Sequence, residues 1–447
     1  MRIKIKEKNI LKNILCKKLG AQLHDDINGI SIDSRKIEQG DIFLALKGQK
    51  SHGIDFIDRN ILNRLNFVIS DKPIDSSKVF LVKDSMQFLK DIASEFRREL
   101  KTRFIGITGS NGKTSTKELL VRFLKTKFNV DYSKGNYNST ISLPLSLLTC
   151  NSKSDYCVLE MGASKAGEID FLCTIAKPHI GIITNISESH LDGYQDFNEL
   201  IDTKLALYES IVNRGGTYFL NKDDLNINTE NNYENIVTYS SFDKTAEYFA
   251  DTSKIQEGIV RINDYSFNVP YKSVIFASNF LASFSIASSL GVDNQDIQDS
   301  LKSFEFPDGR GRISKIDGDI IIDDTYNANL NSMKSGISEL KLIKNKNQSI
   351  NLILGDMLDL GAFSKSHHSA LGKFISDLNF IDNVYCIGAM SNYIVKGINN
   401  PNIKSKYFKN SHSIITYLRK NKSGNNIFYF KASRGMRMEK IIQKVFQ

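Results

Sequence analysis

A chain of 447 residues is too long for one ordinary hydrophobic core, so two or three domains are expected. It is 41% hydrophobic and 24% charged, with no tryptophan and no low-complexity tract, which is the composition of a soluble globular protein. The formal charge of +9 is modest for this length, and the lysines and arginines are spread along the chain, which argues against nucleic acid as a partner and suits an anionic small substrate.

The opening stretch "MRIKIKEKNILKNILCKKLG" is basic and has no apolar run of secretory length. Cys16, Cys150, Cys157, Cys173 and Cys386 form no CxxC pair and no zinc-like cluster, and an odd count suits a reducing compartment. A cytoplasmic protein without membrane insertion is expected, and a monomer.

Residues 1–101 read as short strands ("GISIDSRK", "GDIFLALKG", "NFVISDK", "KVFLVKDS") closed by a helix in "MQFLKDIASEFRREL". In that helix Phe88, Leu89, Ile92, Ala93, Phe96 and Leu100 recur at helical spacing, so one face packs and the other is solvated. A basic junction at Lys101 to Arg103 sets the first boundary. Residues 102–308 alternate apolar strands ("FIGIT", "YCVLEMG", "HIGIITNI", "TYFLN") with helical or polar segments, the pattern of a parallel sheet covered on both faces, with ligands at the C-terminal strand ends. "SVIFASNFLASFSIASSLGV", 273 to 292, carries no charge but six serines and an asparagine, which predicts a buried helix rather than a membrane span. A break at "FEFPDGRGR" leaves 309–447 as a further α/β unit with strands in "DIIIDDTYNAN", "INLILGDM", "NVYCIG" and "IFYFKAS".

The strand, turn and helix in "RFIGITGSNGKTSTKELLVRFLK" read as a phosphate site. Gly109 and Gly112 let backbone N–H groups turn inward, Lys113 adds a point charge, Thr114 offers a hydroxyl to a metal, and the helix N-terminus faces the same spot. The first glycine usual in such loops is missing, with Ile107 in its place, so the loop is a shorter variant. Glu160 and His190 follow two other strands of the same sheet, where a carboxylate could bind Mg²⁺. Lys204 lies in "FNELIDTKLALYESI", and spacing alone reads it as a solvated helix-face lysine.

"ITGSNGKTSTKE", "GNYNS", "EMGAS", "ITNISESHLD" and "YNAN" together resemble the motifs of the Mur ligases, ATP-dependent amide-forming enzymes of bacterial cell-wall precursor synthesis. "DSRKIEQGDIFLALKG", "DDTYNANLNSM", "LGDMLDLG" and "KASRGMRME" are most similar to the type that joins D-alanyl-D-alanine to UDP-N-acetylmuramoyl-tripeptide. The resemblance implies an α/β fold of three domains: a small N-terminal substrate domain, a central P-loop-type ATPase domain with a parallel sheet, and a Rossmann-like C-terminal domain. It also implies ATP and Mg²⁺ as cofactors, UDP-N-acetylmuramoyl-tripeptide and D-alanyl-D-alanine as substrates, and an acyl-phosphate intermediate.

By motif position the resemblance places the ATP phosphates on Gly109, Ser110, Asn111, Gly112, Lys113, Thr114 and Ser115, with adenine on Asn279, a phosphate arginine at Arg310 and an acid near the ribose at Asp324. Thr114, Glu160, His190 and Lys204 would organise the metal, Lys204 as a carbamate formed with CO₂. Lys113, Glu160, His190, Lys204 and Arg310 form the implied catalytic set. Substrate contacts fall on Ser34, Arg35, Asn136, Asn138, Tyr326, Asn327, Asn329, Lys431, Ser433 and Arg434.

The sequence departs from the family pattern at Ala206, where a glutamate is usual, at Ser139 for asparagine, at Leu330 for proline and at His52 for aspartate. Two readings stand beside the first. Another ligase of the superfamily is one: the third-residue-adding type, whose "DNPR" is absent here, or a folylpolyglutamate synthase, which would lack the "DSR" domain. A nucleotide-binding switch without ligation is the other.

Overall fold

The computed structural model describes residues 1–24, 26–229, 233–422 and 424–446. Three sheets succeed one another along the chain. The first holds β1 (Arg2–Lys4), β2 (Gly29–Ser31), β3 (Asp41–Ala45), β4 (Leu65–Ser70) and β5 (Val79–Leu81) in that order, β1 antiparallel and the others parallel. "GISIDSRK" yields only three strand residues because the Asp33 carboxylate accepts the Arg35 N–H and turns the chain into a 3₁₀ segment, Ser34–Lys36.

The sequence pattern missed the helix Lys8–Leu19. It buries Leu11, Ile14 and Leu15 on one face and ends at Gly20, whose φ of 63° is the left-handed turn that glycine tolerates best. Lysines between those positions obscure the stripe. The helix Ser85–Glu99 buries Phe88, Leu89, Ile92, Ala93 and Phe96, as its spacing predicts. It lies against the helices Ser142–Leu147 and Glu168–Ala176 of the next unit, so one hydrophobic cluster runs from Ile3 to Ile227.

The second sheet holds β6 (Arg103–Thr108), β7 (Val130–Tyr132), β8 (Tyr156–Glu160), β9 (Ile180–Ile183), β10 (Thr217–Asn221), β11 (Ile236–Ser240), β12 (Tyr248–Asp251), β13 (Ile259–Ile262) and β14 (Tyr265–Asn268). Their order is β14-β13-β12-β11-β10-β9-β6-β8-β7. Parallel pairing, expected throughout, holds from β7 to β12, whereas β13 runs antiparallel to both of its neighbours, β12 and β14. The reason is local: the two residues between β13 and β14, with Asn263 at φ 49°, make a hairpin, and so short a connection admits no parallel crossover.

The charge-free segment forms the buried helix Val274–Ser289, capped by Ser273 and packed on the helix Lys113–Leu124. Among the described residues no helix is long and apolar enough to cross a membrane. The third sheet holds β15 (Arg312–Ile316), β16 (Asp319–Asp324), β17 (Ser349–Leu354), β18 (Asn383–Ile387), β19 (Lys404–Phe408) and β20 (Asn426–Lys431), ordered β15-β16-β20-β17-β18-β19. Only β15, at the edge, is antiparallel. Its hydrophobic clusters contain residues of this unit alone.

Candidate active site

The C-terminal ends of β6, β8 and β9 open onto a cavity of ≈ 1360 Å³, closed on its far side by the third unit. Between β6 and the helix Lys113–Leu124, the loop is tied to the end of β9. The Thr184 hydroxyl donates to Asn111 O at 2.6 Å, Asn111 N–H donates to Asn185 Oδ1 at 3.0 Å, and the Ser110 hydroxyl donates to Ser187 O at 2.8 Å. Gly109 and Gly112 have φ of 140° and 80°, and a Cβ there would collide with Thr184 Oγ1 or Asn279 Oδ1. The tight turn therefore requires both glycines.

Lys113 folds back on this loop, donating to Gly109 O at 2.7 Å and Ser110 O at 3.1 Å. Burial first, and then Arg310, lowers its ammonium to about 8 against the opposing pull of Glu160. Glu160, 1% exposed at the end of β8, accepts from the Thr114 hydroxyl and from Asn138 Nδ2, both at 2.8 Å.

Lys204 is buried, contrary to the spacing-based expectation of a solvated lysine. Its helix, Phe197–Val212, turns that face onto the sheet and brings Nζ to 3.4 Å from Gly109 O. Burial first, and then Lys113, lowers the amine to about 7. His190 sits at φ 52°, a strained conformation for a non-glycine residue, with Nδ1 3.2 Å from Asp359 Oδ2 of the third unit. Burial lowers its pKa as well.

From the third unit, the Arg310 guanidinium stacks over the Tyr326 ring at 3.8 Å, and that of Arg434 lies 5.8 Å from the same ring. Asp324 accepts from Lys431 Nζ at 2.6 Å and Tyr429 Oη at 2.8 Å, so its carboxylate is held before any ligand arrives. Asn329 caps the helix Leu330–Ile343, and the Ser433 hydroxyl accepts Leu358 N–H. Ser115, Asn136, Asn279 and Asn327 also line the cavity.

Ser34 and Arg35 do not line it. Arg35 is exposed and paired with Asp33 at 2.8 Å. Sequence reasoning also missed a residue, Lys117. It is fully buried one helical turn after Lys113, donates to Ser133 O and Gly135 O at 2.7 Å, and lies 3.7 Å from Glu160. Its i, i+4 spacing from Lys113 on a helix that must pack against the sheet was the available signal.

The amino-acid sequence matches known proteins over nearly the whole chain. Residues 107–289 match the Mur ligase middle domain, 309–434 the Mur ligase glutamate ligase domain, and 26–66 the catalytic domain of the Mur ligase family. The UDP-N-acetylmuramoyl-tripeptide--D-alanyl-D-alanine ligase of Rickettsia prowazekii is 32% identical, covering 95% of this chain and 97% of its own. That of Bacillus subtilis is 30% identical, covering 94% and 93%. The chain belongs to the Mur ligase family.

Solved structures agree with this fold. MurF from Acinetobacter baumannii superposes with a TM-score of 0.86 at 24% identity, covering 99% of this chain and 100% of that one. MurF from Thermotoga maritima in complex with ADP gives 0.81 at 27% identity, covering 93% and 96%. Two departures from the Mur ligase pattern have local roles. His52 Nδ1 accepts Ile54 N–H while Nε2 meets Asp71 at 2.6 Å, and the Ser139 hydroxyl accepts Ser142 N–H at the start of a helix.

Proposed function

We propose that this Mur ligase joins D-alanyl-D-alanine to UDP-N-acetylmuramoyl-tripeptide in the cytoplasm at the expense of ATP. The observation that carries the reading is one cavity in which the phosphate loop, the Glu160 carboxylate held by the buried Thr114 hydroxyl, and the third-unit cations Arg310, Lys431 and Arg434 face one another. Relatives named for this reaction and the ADP complex of the Thermotoga protein support it. The working units are residues 1–101 for the nucleotide-sugar substrate, 102–308 for ATP and 309–447 for the dipeptide.

In this reading Gly109 to Ser115 cradle the ATP phosphates, Asn279 lies beside adenine and Asp324 near ribose. A carboxylate oxygen of the tripeptide attacks the γ-phosphorus, ADP leaves, and an acyl phosphate forms. Attack of one anion on another is opposed by charge, so Lys113 and Arg310 stabilise the transferring group electrostatically. The dipeptide amine then attacks the acyl carbon and phosphate departs. Asn136, Asn138, Tyr326, Asn327, Asn329, Lys431, Ser433 and Arg434 position the substrates, and closure of the third unit excludes water from the acyl phosphate. Ser34 and Arg35 serve the distant uridine end.

The donor set suits Mg²⁺. One buried carboxylate and one hydroxyl, Glu160 and Thr114, leave room for the phosphate oxygens and waters that this ion keeps, and His190 lines the same cavity. Mg²⁺ would supply charge neutralisation at the phosphates. Lys204 contributes only as a carbamate, since an ammonium would repel the ion. The test is phosphate release with ATP, UDP-N-acetylmuramoyl-tripeptide and D-alanyl-D-alanine, omitting each in turn. Release that needs all three supports ligation; release indifferent to the dipeptide overturns it.

A further inference from the structure

At the opposite end of the central sheet lies a second concavity, ≈ 350 Å³, with a different character. It is lined by Arg97 from the helix Ser85–Glu99, Arg98 beside it, Arg103 at the start of β6, Lys177 and His179 before β9, and Arg214 before β10. Cations that look scattered in the sequence converge here. Among the described residues none of these five cations forms an ion pair, so their mutual repulsion is not offset by a carboxylate.

Two details make this more than a basic surface. Arg97 is nine-tenths buried, its Nε donating to Ala176 O at 2.8 Å and one Nη2 bond reaching Lys177 O at 3.2 Å, while Nη1 makes no hydrogen bond among the described residues. His179 Nδ1 accepts the Phe104 N–H at 2.9 Å, which forces the proton of the neutral ring onto Nε2. That Nε2–H lies 3.4 Å from Arg97 Nη2, another donor. Two fixed donors pointed at each other lack an acceptor between them. Burial and the surrounding arginines lower His179 to about 4, so the ring is neutral at physiological pH.

We propose that this concavity is a second anion site, built for a small ligand bearing phosphoryl groups, about 17 Å from the phosphate loop along the six-residue strand β6. Phosphoryl oxygens accept from several N–H donors at once and are matched by guanidinium groups. The site joins the helix that carries the first unit to the central sheet, outside the ligation cavity.

The test uses the full chain with its histidine rings isotopically labelled, titrated with inorganic pyrophosphate and followed by the His179 resonance. That resonance lies too far from the phosphate loop to report binding there. Saturable movement of the His179 signal, with an apparent affinity weakened about tenfold or more in an Arg98→Ala/Arg214→Ala variant, is expected. Both residues are exposed, so the variant should keep its fold, and its melting temperature checks this. A His179 signal moved by neither pyrophosphate nor anionic vesicles, or equal affinity in the folded variant, overturns the proposal. Vesicles with and without phosphatidylglycerol form a second arm. Perturbation by anionic vesicles but not by pyrophosphate assigns the phosphoryl group to a lipid headgroup; the reverse assigns it to a soluble ligand.

Discussion

Asn329 of the third unit donates its side-chain amide to Asn111 Oδ1 in the phosphate loop at 2.9 Å, while its own Oδ1 accepts Ser332 N–H as a helix cap. Asn111 is held in that orientation by its Nδ2 bond to Ser187 at 3.1 Å. One side chain thus serves both a helix start and a contact between units.

The two roles are separable. Asn329→Asp keeps the capping oxygen and removes the donor, so melting temperature should stay close to wild type while KM for ATP rises. Asn329→Ala loses both and should cost about 1 kcal/mol in addition. Melting curves beside initial rates at varied ATP distinguish them, and an Asp variant with unchanged kinetics would remove the contact from the mechanism.

Lys113→Ala should abolish phosphate release and ligation with circular dichroism and melting temperature preserved, because among the described residues the wild-type ammonium bonds only to its own loop carbonyls. Near-normal turnover in a folded variant would sink the phosphate-loop assignment.

The Lys204 amine titrates near 7 in the folded chain and at 10.5 when unperturbed. Between those values the unfolded chain holds a proton that the native one lacks, so stability should rise with pH from about 7 to 10.5 and be lost as pH falls through 7. Lys204→Met should flatten part of that rise in CO₂-depleted buffer, Lys113 supplying the remainder. In activity, Lys204→Ala should recover with added acetate or formate if a carbamate is required.

Lys117→Met should be the most destabilising of these changes, by about 3 kcal/mol, because it leaves the Ser133 and Gly135 carbonyls and the Glu160 carboxylate without their buried cation. Chemical denaturation measures the loss. A raised Mg²⁺ requirement in the surviving fraction would show that Lys117 positions Glu160; unchanged Mg²⁺ dependence would restrict it to a structural role.

The strands that carry the cavity were legible because parallel buried strands write continuous apolar runs; Glu160 ends one such run and His190 lies in the loop after another. Lys117 and Lys204 were not legible from spacing, since a lysine on a helix looks the same whether its face meets solvent or a sheet. The helix Lys8–Leu19 was hidden by its own lysines. The antiparallel edge β12–β14 was missed because its four-residue strands carry too little alternation to register. Asp324 could be placed near the cavity, but not its clasp with Lys431 and Tyr429, which depends on β16 and β20 lying side by side.

The hydrophobic clusters divide the molecule unevenly. The first and second units share one, whereas the third keeps its own and meets the rest through polar contacts such as Asn111–Asn329, His190–Asp359 and Ser273–Glu339. Cooperativity follows the apolar connections, so the first two units should denature as one block and the third as another. A weakened polar contact between the blocks would then slow the enzyme long before it shortened the lifetime of either fold.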